Sequence, residues 1–152
     1  MDLHPDFRDL LAEFVRADVR FVVLGGYAVG FHGKPRATKD LDLLVARDSE
    51  NLERAATALS RFGAPASVVE AIRVLAPDDI VYLGVAPVHV DILGRADGID
   101  TNTTIARADV VRIGDLDVPV ISRADLLANK RASGRPQDLA DVAVLEKMDG
   151  RT

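Results

Sequence analysis

Val22-Val23-Leu24-Gly25-Gly26-Tyr27-Ala28-Val29, followed by His32-Gly33-Lys34-Pro35-Arg36-Ala37-Thr38-Lys39 and then Asp40-Leu41-Asp42-Leu43-Leu44-Val45, decides the fold. Two apolar runs flank a polar, basic connector. The first ends in a glycine pair, and the second opens with two carboxylates one residue apart. Side chains alternate across a strand, so Asp40 and Asp42 point to one face, within reach of one divalent cation. Glycines directly after a strand let the backbone pass close to a ligand, and a helix starting there offers N–H groups to phosphate. The pattern is that of a site for a nucleoside triphosphate and Mg²⁺.

Outward from this stretch, Phe7, Leu10, Leu11, Phe14 and Val15 recur at helical spacing over Pro5 to Ala17. Val19 to Leu24 reads as a strand covered on both faces. A short helix is expected from Gly26 to about Gly33, and a second strand over Asp40 to Ala46. Asp48 or Ser49 caps the next helix, which runs to about Phe62 with Leu52, Ala55, Ala56 and Leu59 inward. Ser67 to Leu83 is ambiguous between strand and helix up to Leu75, and strand-like over Ile80 to Leu83. Val88-His89-Val90-Asp91-Ile92-Leu93 is a clearer third strand, with His89, Asp91 and Leu93 on one face. Gly94 to Thr104 reads as loop. Val110 to Ile121 reads as a hairpin turning at Gly114-Asp115. Ser122 caps a helix through Arg131, with Asp125 completing a near capping box, and a last helix spans about Gln137 to Met148.

Asp91 is an acid inside an apolar strand, where a charge is costly unless it is paired or bound to metal. If the third strand lies beside the second, Asp91 completes a three-carboxylate cluster. A salt bridge to Arg36 or Arg95 is the structural alternative. All-oxygen ligation favours Mg²⁺ or Mn²⁺ over zinc. Arg36 and Thr38 precede the acidic strand and either bind triphosphate or, for Arg36, neutralise the acids. Lys130, with Arg131 and Arg135, either reaches phosphate or forms a solvated basic helix end. Asp138 and Asp141 are explained by their place near a helix start, where negative charge is favourable. His89 shares the face of Asp91, and His32 ends the short helix.

Gly25-Gly26, the spacer, Arg36-x-Thr38-x-Asp40-Leu41-Asp42-Leu43 and the later Asp91 resemble the DNA polymerase beta-type nucleotidyltransferase superfamily. Its small prokaryotic members are more similar still: minimal, toxin–antitoxin, abortive-infection, aminoglycoside and lincosamide nucleotidyltransferases. The tail from Leu126 to Val142 is similar to the same small proteins. The resemblance implies an α+β fold with a mixed central sheet, helices mainly on one side and two C-terminal helices. It also implies two Mg²⁺ ions (or Mn²⁺) held by Asp40, Asp42 and Asp91, and an NTP, with ATP expected, whose triphosphate meets Gly25 and Gly26. Arg36, Thr38 and Lys130 are the further candidates for binding it. Many relatives carry Gly-Ser where this chain has Gly25-Gly26, so backbone N–H groups must replace the hydroxyl. The implied reaction moves a nucleoside monophosphate to a hydroxyl and releases pyrophosphate.

The 152 residues are expected to form one nucleotidyltransferase domain, with a core of about 19–121 and C-terminal helices over about 122–148. The net charge of -5 argues against a generally basic nucleic-acid coat. The acidic excess sits in residues 46–121, away from the segments proposed to form the site. No Cys is present, which excludes disulfides, thiolate metal sites and cysteine nucleophiles and fits a cytoplasmic setting. No apolar run approaches the roughly 20 residues that span a bilayer. The expected acceptor is a protein or RNA, with a cognate toxin or antitoxin as partner. Two tyrosines and five phenylalanines are few for stacking bases. The competing readings are an antibiotic-modifying enzyme, whose acceptor pocket would come from the last two helices or from a second subunit of a homo-oligomer, and a non-catalytic antitoxin module.

Overall fold

A computed structural model describes residues 3–33, 40–84 and 89–149. Among these, a six-stranded mixed sheet and seven helices follow one another along the chain. They are α1 (Pro5–Arg16), β1 (Phe21–Leu24), α2 (Gly25–His32), β2 (Asp40–Val45), α3 (Ser49–Phe62), α4 (Ala66–Arg73), β3 (Ile80–Leu83), β4 (His89–Leu93), α5 (Thr101–Ala106), β5 (Asp109–Ile113), β6 (Leu116–Val120), α6 (Arg123–Ser133) and α7 (Pro136–Asp149). The sheet order is β3-β4-β2-β1-β6-β5. β1–β2, β3–β4 and β5–β6 are antiparallel, whereas β2–β4 and β1–β6 are parallel.

The alternation of β2 and β4 divides the sheet. Leu41, Leu43, Val90 and Ile92 are buried in the hydrophobic core, joined by Val81 and Leu83 of β3. Phe7, Leu10, Leu11 and Phe14 of α1, with Leu52, Ala55, Ala56 and Leu59 of α3 and Val69 and Ile72 of α4, pack into that same cluster. The opposite face carries Asp40, Asp42, His89 and Asp91. Its cleft is bounded by α6 and the start of α7.

Most elements match the sequence expectation, with a few physical corrections. The first strand begins at Phe21 because Asp18 takes a left-handed turn (φ 58°) that consumes the residues after α1. The ambiguous stretch after Pro65 is helical as α4, where Val69 and Ile72 supply the buried side. The expected loop of 94–104 contains the start of α5, capped by Asp100 accepting from Thr103 N at 3.0 Å. Polar threonines there hide the helix from a periodicity reading, since the one buried side chain is Thr104. Ser122 does cap α6, yet the Asp125 carboxylate leaves the capping box to pair with Arg107 at 2.7 Å. No helix among the described residues is long and apolar enough to cross a membrane.

Asn51 fixes α3 against the ends of the central strands. Fully buried, it accepts from Arg20 N at 2.7 Å and donates to Arg20 O at 3.0 Å and Ala46 O at 2.7 Å. Removing the amide leaves those backbone groups without their partner in a dry setting. Asn51→Ala is expected to cost about 2–4 kcal/mol in urea unfolding, whereas a loss under 0.5 kcal/mol would show that water takes over the role.

Candidate active site

Register assembles the site. Leu24 pairs with Asp42, Asp42 with Asp91, and Asp40 with His89. Directly paired residues share a face, so Asp42 and Asp91 stand side by side on neighbouring parallel strands, with Asp40 two residues along the same face. Asp42 and Asp91 are joined by a side-chain hydrogen bond. Such a bond between two carboxyl groups requires a shared proton.

The electrostatics follow from that geometry. Burial first, then the charges of Asp91 and Asp40 and the hydrogen bond to Asp91, push Asp42 up to about 6, against an opposing pull from Lys130. Asp91 is also raised, by burial and then by Asp40, while His89 and the bond to Asp42 oppose. These are acids crowded onto one face. Among the described residues no group of three or more His, Cys, Asp or Glu side chains is placed to hold a metal ion as the side chains stand. The donor set fits a divalent cation nonetheless: every donor is a carboxylate oxygen, two are in contact, and a bound cation removes the repulsion that raises them.

Gly25 closes the other side of Asp42. It sits at φ +67°, and a Cβ built there would lie 2.0 Å from Asp42 Oδ2. Only glycine lets the first turn of α2 begin so close to the carboxylate. Gly26 follows in that same first turn. The expected placement of the glycine pair at a strand-to-helix junction therefore holds. Arg36 and Thr38 lie outside the described residues.

Lys130 lines the same cleft, of about 560 Å³, with Arg95, Asp97, Asn129, Ser133, Arg135 and Asp138. It is not a solvated helix end: it is 6% exposed, and its Nζ donates to Asp138 Oδ1 at 3.1 Å and pairs with Asp141 Oδ2 at 3.0 Å. Ser133 Oγ and Arg135 Nε also donate to Asp138, at 2.8 and 2.7 Å, and Gln137 Nε2 donates to Asp141 at 3.0 Å. Burial pushes the Asp138 carboxyl up, but the bonds from Arg135, Ser133 and Lys130 outweigh it and hold the group well below the usual carboxylate range. Placement near a helix start therefore explains only part of Asp138 and Asp141; they also clamp Lys130. Sequence reasoning missed this because the clamp needs α6 and α7 to fold back on one another around Gly134 (φ 64°). Asn129 ties the loop before α5 to α6 by donating to Asp97 O at 2.9 Å. His32 faces away from this chemistry, its Nε2 2.6 Å from Ile121 O.

Fold and cleft fit the nucleotidyltransferase class. A crystal structure of a presumed nucleotidyltransferase from Thermotoga maritima, at 1.87 Å, matches with a TM-score of 0.57 and 16% identity. The match covers 99% of this chain and 97% of that one, and at such identity it speaks for the fold. The family model described as nucleotidyl transferase AbiEii toxin, type IV TA system, matches residues 9–152. The chain belongs to that family and is a nucleotidyltransferase of a type IV toxin–antitoxin system, with an NTP as substrate and an antitoxin as cognate partner. No curated protein sequence matches the chain significantly.

Two outcomes test the site's electrostatics. Because the folded state raises the pKa of Asp42, its neutral form supports the metal-free fold; that contribution is full below the ordinary carboxylate pKa and is lost as pH rises through about 6. Asp42→Asn is therefore expected to be more stable than the parent at pH 8 without metal, on the order of 1–3 kcal/mol, with the gap closing towards pH 4. Thermal melts across pH check this, and a gap independent of pH would contradict it. Gly25→Ala must displace Asp42 and strain the turn. Its divalent-cation-dependent NTP affinity, measured by calorimetry, should fall at least tenfold; unchanged affinity would refute the close-approach role.

Proposed function

We propose that this chain transfers a nucleoside monophosphate from an NTP, with ATP the expected donor, to a hydroxyl of an RNA or protein acceptor. Asp40, Asp42 and Asp91 are the residues that would hold Mg²⁺, or Mn²⁺ in its place. The observation that carries this reading is the pairing of Asp42 with Asp91 across parallel strands, with Gly25 against the far side of Asp42.

Each residue then has a job. Backbone N–H groups at Gly25 and Gly26, at the start of α2, face the triphosphate and exploit the positive end of the helix. Lys130, kept extended by Asp138 and Asp141, adds positive charge to the opposite wall. Arg36 and Thr38 are assigned to the triphosphate as well. Divalent cations bound by the three acids would neutralise the negative charge that develops around the α-phosphorus. Asp91, on the side of the row away from Gly25, accepts the proton of the attacking hydroxyl. The acceptor oxygen bonds to the α-phosphorus, the bond to the β-phosphate oxygen breaks, and pyrophosphate leaves. The chain 1–152 acts as one domain, in the cytoplasm where NTPs are abundant, within its toxin–antitoxin pair.

A labelling reaction tests the proposal. Purified protein, Mg²⁺ and each α-³²P-labelled NTP are incubated with cell lysate, total RNA or the protein alone, beside an Asp40→Asn, Asp42→Asn double variant. Label is expected in RNA or protein with the parent and absent with the variant. No transfer together with no Mg²⁺-dependent NTP binding would overturn the reading.

A further inference from the structure

The segment that carries the glycine turn is tied at both ends to one residue. Ile121 N donates to Val23 O at 3.0 Å, just before the turn, and His32 Nε2 lies 2.6 Å from Ile121 O at the end of α2. A carbonyl oxygen only accepts, so Nε2 carries the hydrogen of this bond. Asp109 Oδ2 is 3.8 Å from the same nitrogen, outside hydrogen-bond reach. The imidazole side chain is 8% exposed and packs edge-on against Phe31, with ring centroids 5.0 Å apart. Ile121 itself is fully buried and directly precedes Ser122, the cap of α6. Lys130 lies in the last turn of that same helix.

α2 needs such a tie. It is eight residues long, three of them glycine, and Leu24 at its N-cap supplies no side-chain bond. Glycine is among the poorest helix formers, and so short a helix does not hold itself in water. Gly33 after it forms no left-handed cap, with φ at −138°. Instead Gly33 sits hard against α7, where a Cβ would meet Leu145 Cδ2 at 2.9 Å. Arg123, the first residue of α6, donates to the carbonyl oxygen of that same Leu145. The end of α2, the start of α6 and the end of α7 are therefore fastened together beside Ile121. We propose that His32 is a positioning residue for the nucleotide: by holding α2 to Ile121 O, it sets the gap between the N–H groups of Gly25 and Gly26 and the Lys130 wall. The inference rests on the cleft being the NTP site proposed above. The acids do not depend on this tie, because the register of β2 and β4 places Asp40, Asp42 and Asp91. A triphosphate spans both walls, so slack in α2 weakens nucleotide binding and leaves metal binding by the acids in place.

The test uses the full chain and three variants. His32→Gln keeps an amide N–H at the reach of Nε2, His32→Asn offers one that falls short, and His32→Phe keeps the ring without a donor. Calorimetry with Mg²⁺ and the α,β-methylene analogues of the four NTPs reads nucleotide affinity. Paramagnetic resonance of Mn²⁺ without nucleotide reads the acids alone. His32→Phe and His32→Asn are expected to bind the analogue at least fivefold more weakly than the parent, and His32→Gln within twofold of it. Mn²⁺ affinity should move less than twofold in all three. If His32→Phe does not fold, the Gln and Asn variants carry the comparison. A folded variant without the bond that melts at lower temperature yet keeps its analogue affinity would overturn the proposal, since a purely structural tie behaves that way. Equal losses of analogue and Mn²⁺ affinity would overturn it too. A parent protein that binds no analogue with Mg²⁺ would overturn the reading of the cleft itself.

Discussion

Crowded negative charge is the constraint on which the rest of this structure depends. The parallel register of β2 and β4 sets Asp42 directly against Asp91, and strand alternation adds Asp40 to the same face. Nothing in a hydrophobic core demands this, and its cost is felt: burial first, and then the neighbouring charges, raise both paired acids from the ordinary carboxylate value. A protein that keeps such an arrangement stores a demand for cations. In the reaction proposed above, divalent metal would answer it, and a metal-bound triphosphate would be the substrate.

The remainder of the fold divides its labour around that demand. The other sheet face is closed by α1, α3 and α4 with ordinary apolar packing, anchored by the buried amide of Asn51. This rigid half holds the register, and therefore the spacing of the acids. The C-terminal pair α6 and α7 forms the far wall, where Lys130 is immobilised between two carboxylates instead of waving in solvent. A buried pair of this kind is weak support for stability but fixes where a charge sits. Gly98 (φ +74°) lets the loop before α5 press onto Ala128 and Ala132 of α6, which steadies the wall from behind.

The sequence carried the strands and helices with strong periodicity, and also the acidic half of the cleft. Asp40, Asp42 and Asp91 announce themselves as acids in apolar strands, and Gly25 as a break at a strand end. What escaped was long-range. The Lys130 clamp joins residues whose partners are set by the turn at Gly134, so local pattern saw only charges near helix ends. The start of α5 escaped because its buried side chain is a threonine. Membership of the AbiEii family confirms the class of chemistry that the local motifs implied.

The central claim is that the three acids bind divalent metal together with the triphosphate. Electron paramagnetic resonance of Mn²⁺, titrated with the protein and a non-hydrolysable NTP analogue, reads this directly. The account predicts tight Mn²⁺ binding that strengthens with the analogue, shows coupling to its phosphorus nuclei, and disappears in Asp91→Asn. Analogue binding that is indifferent to Mn²⁺, or Mn²⁺ coupling that survives Asp91→Asn unchanged, would contradict it.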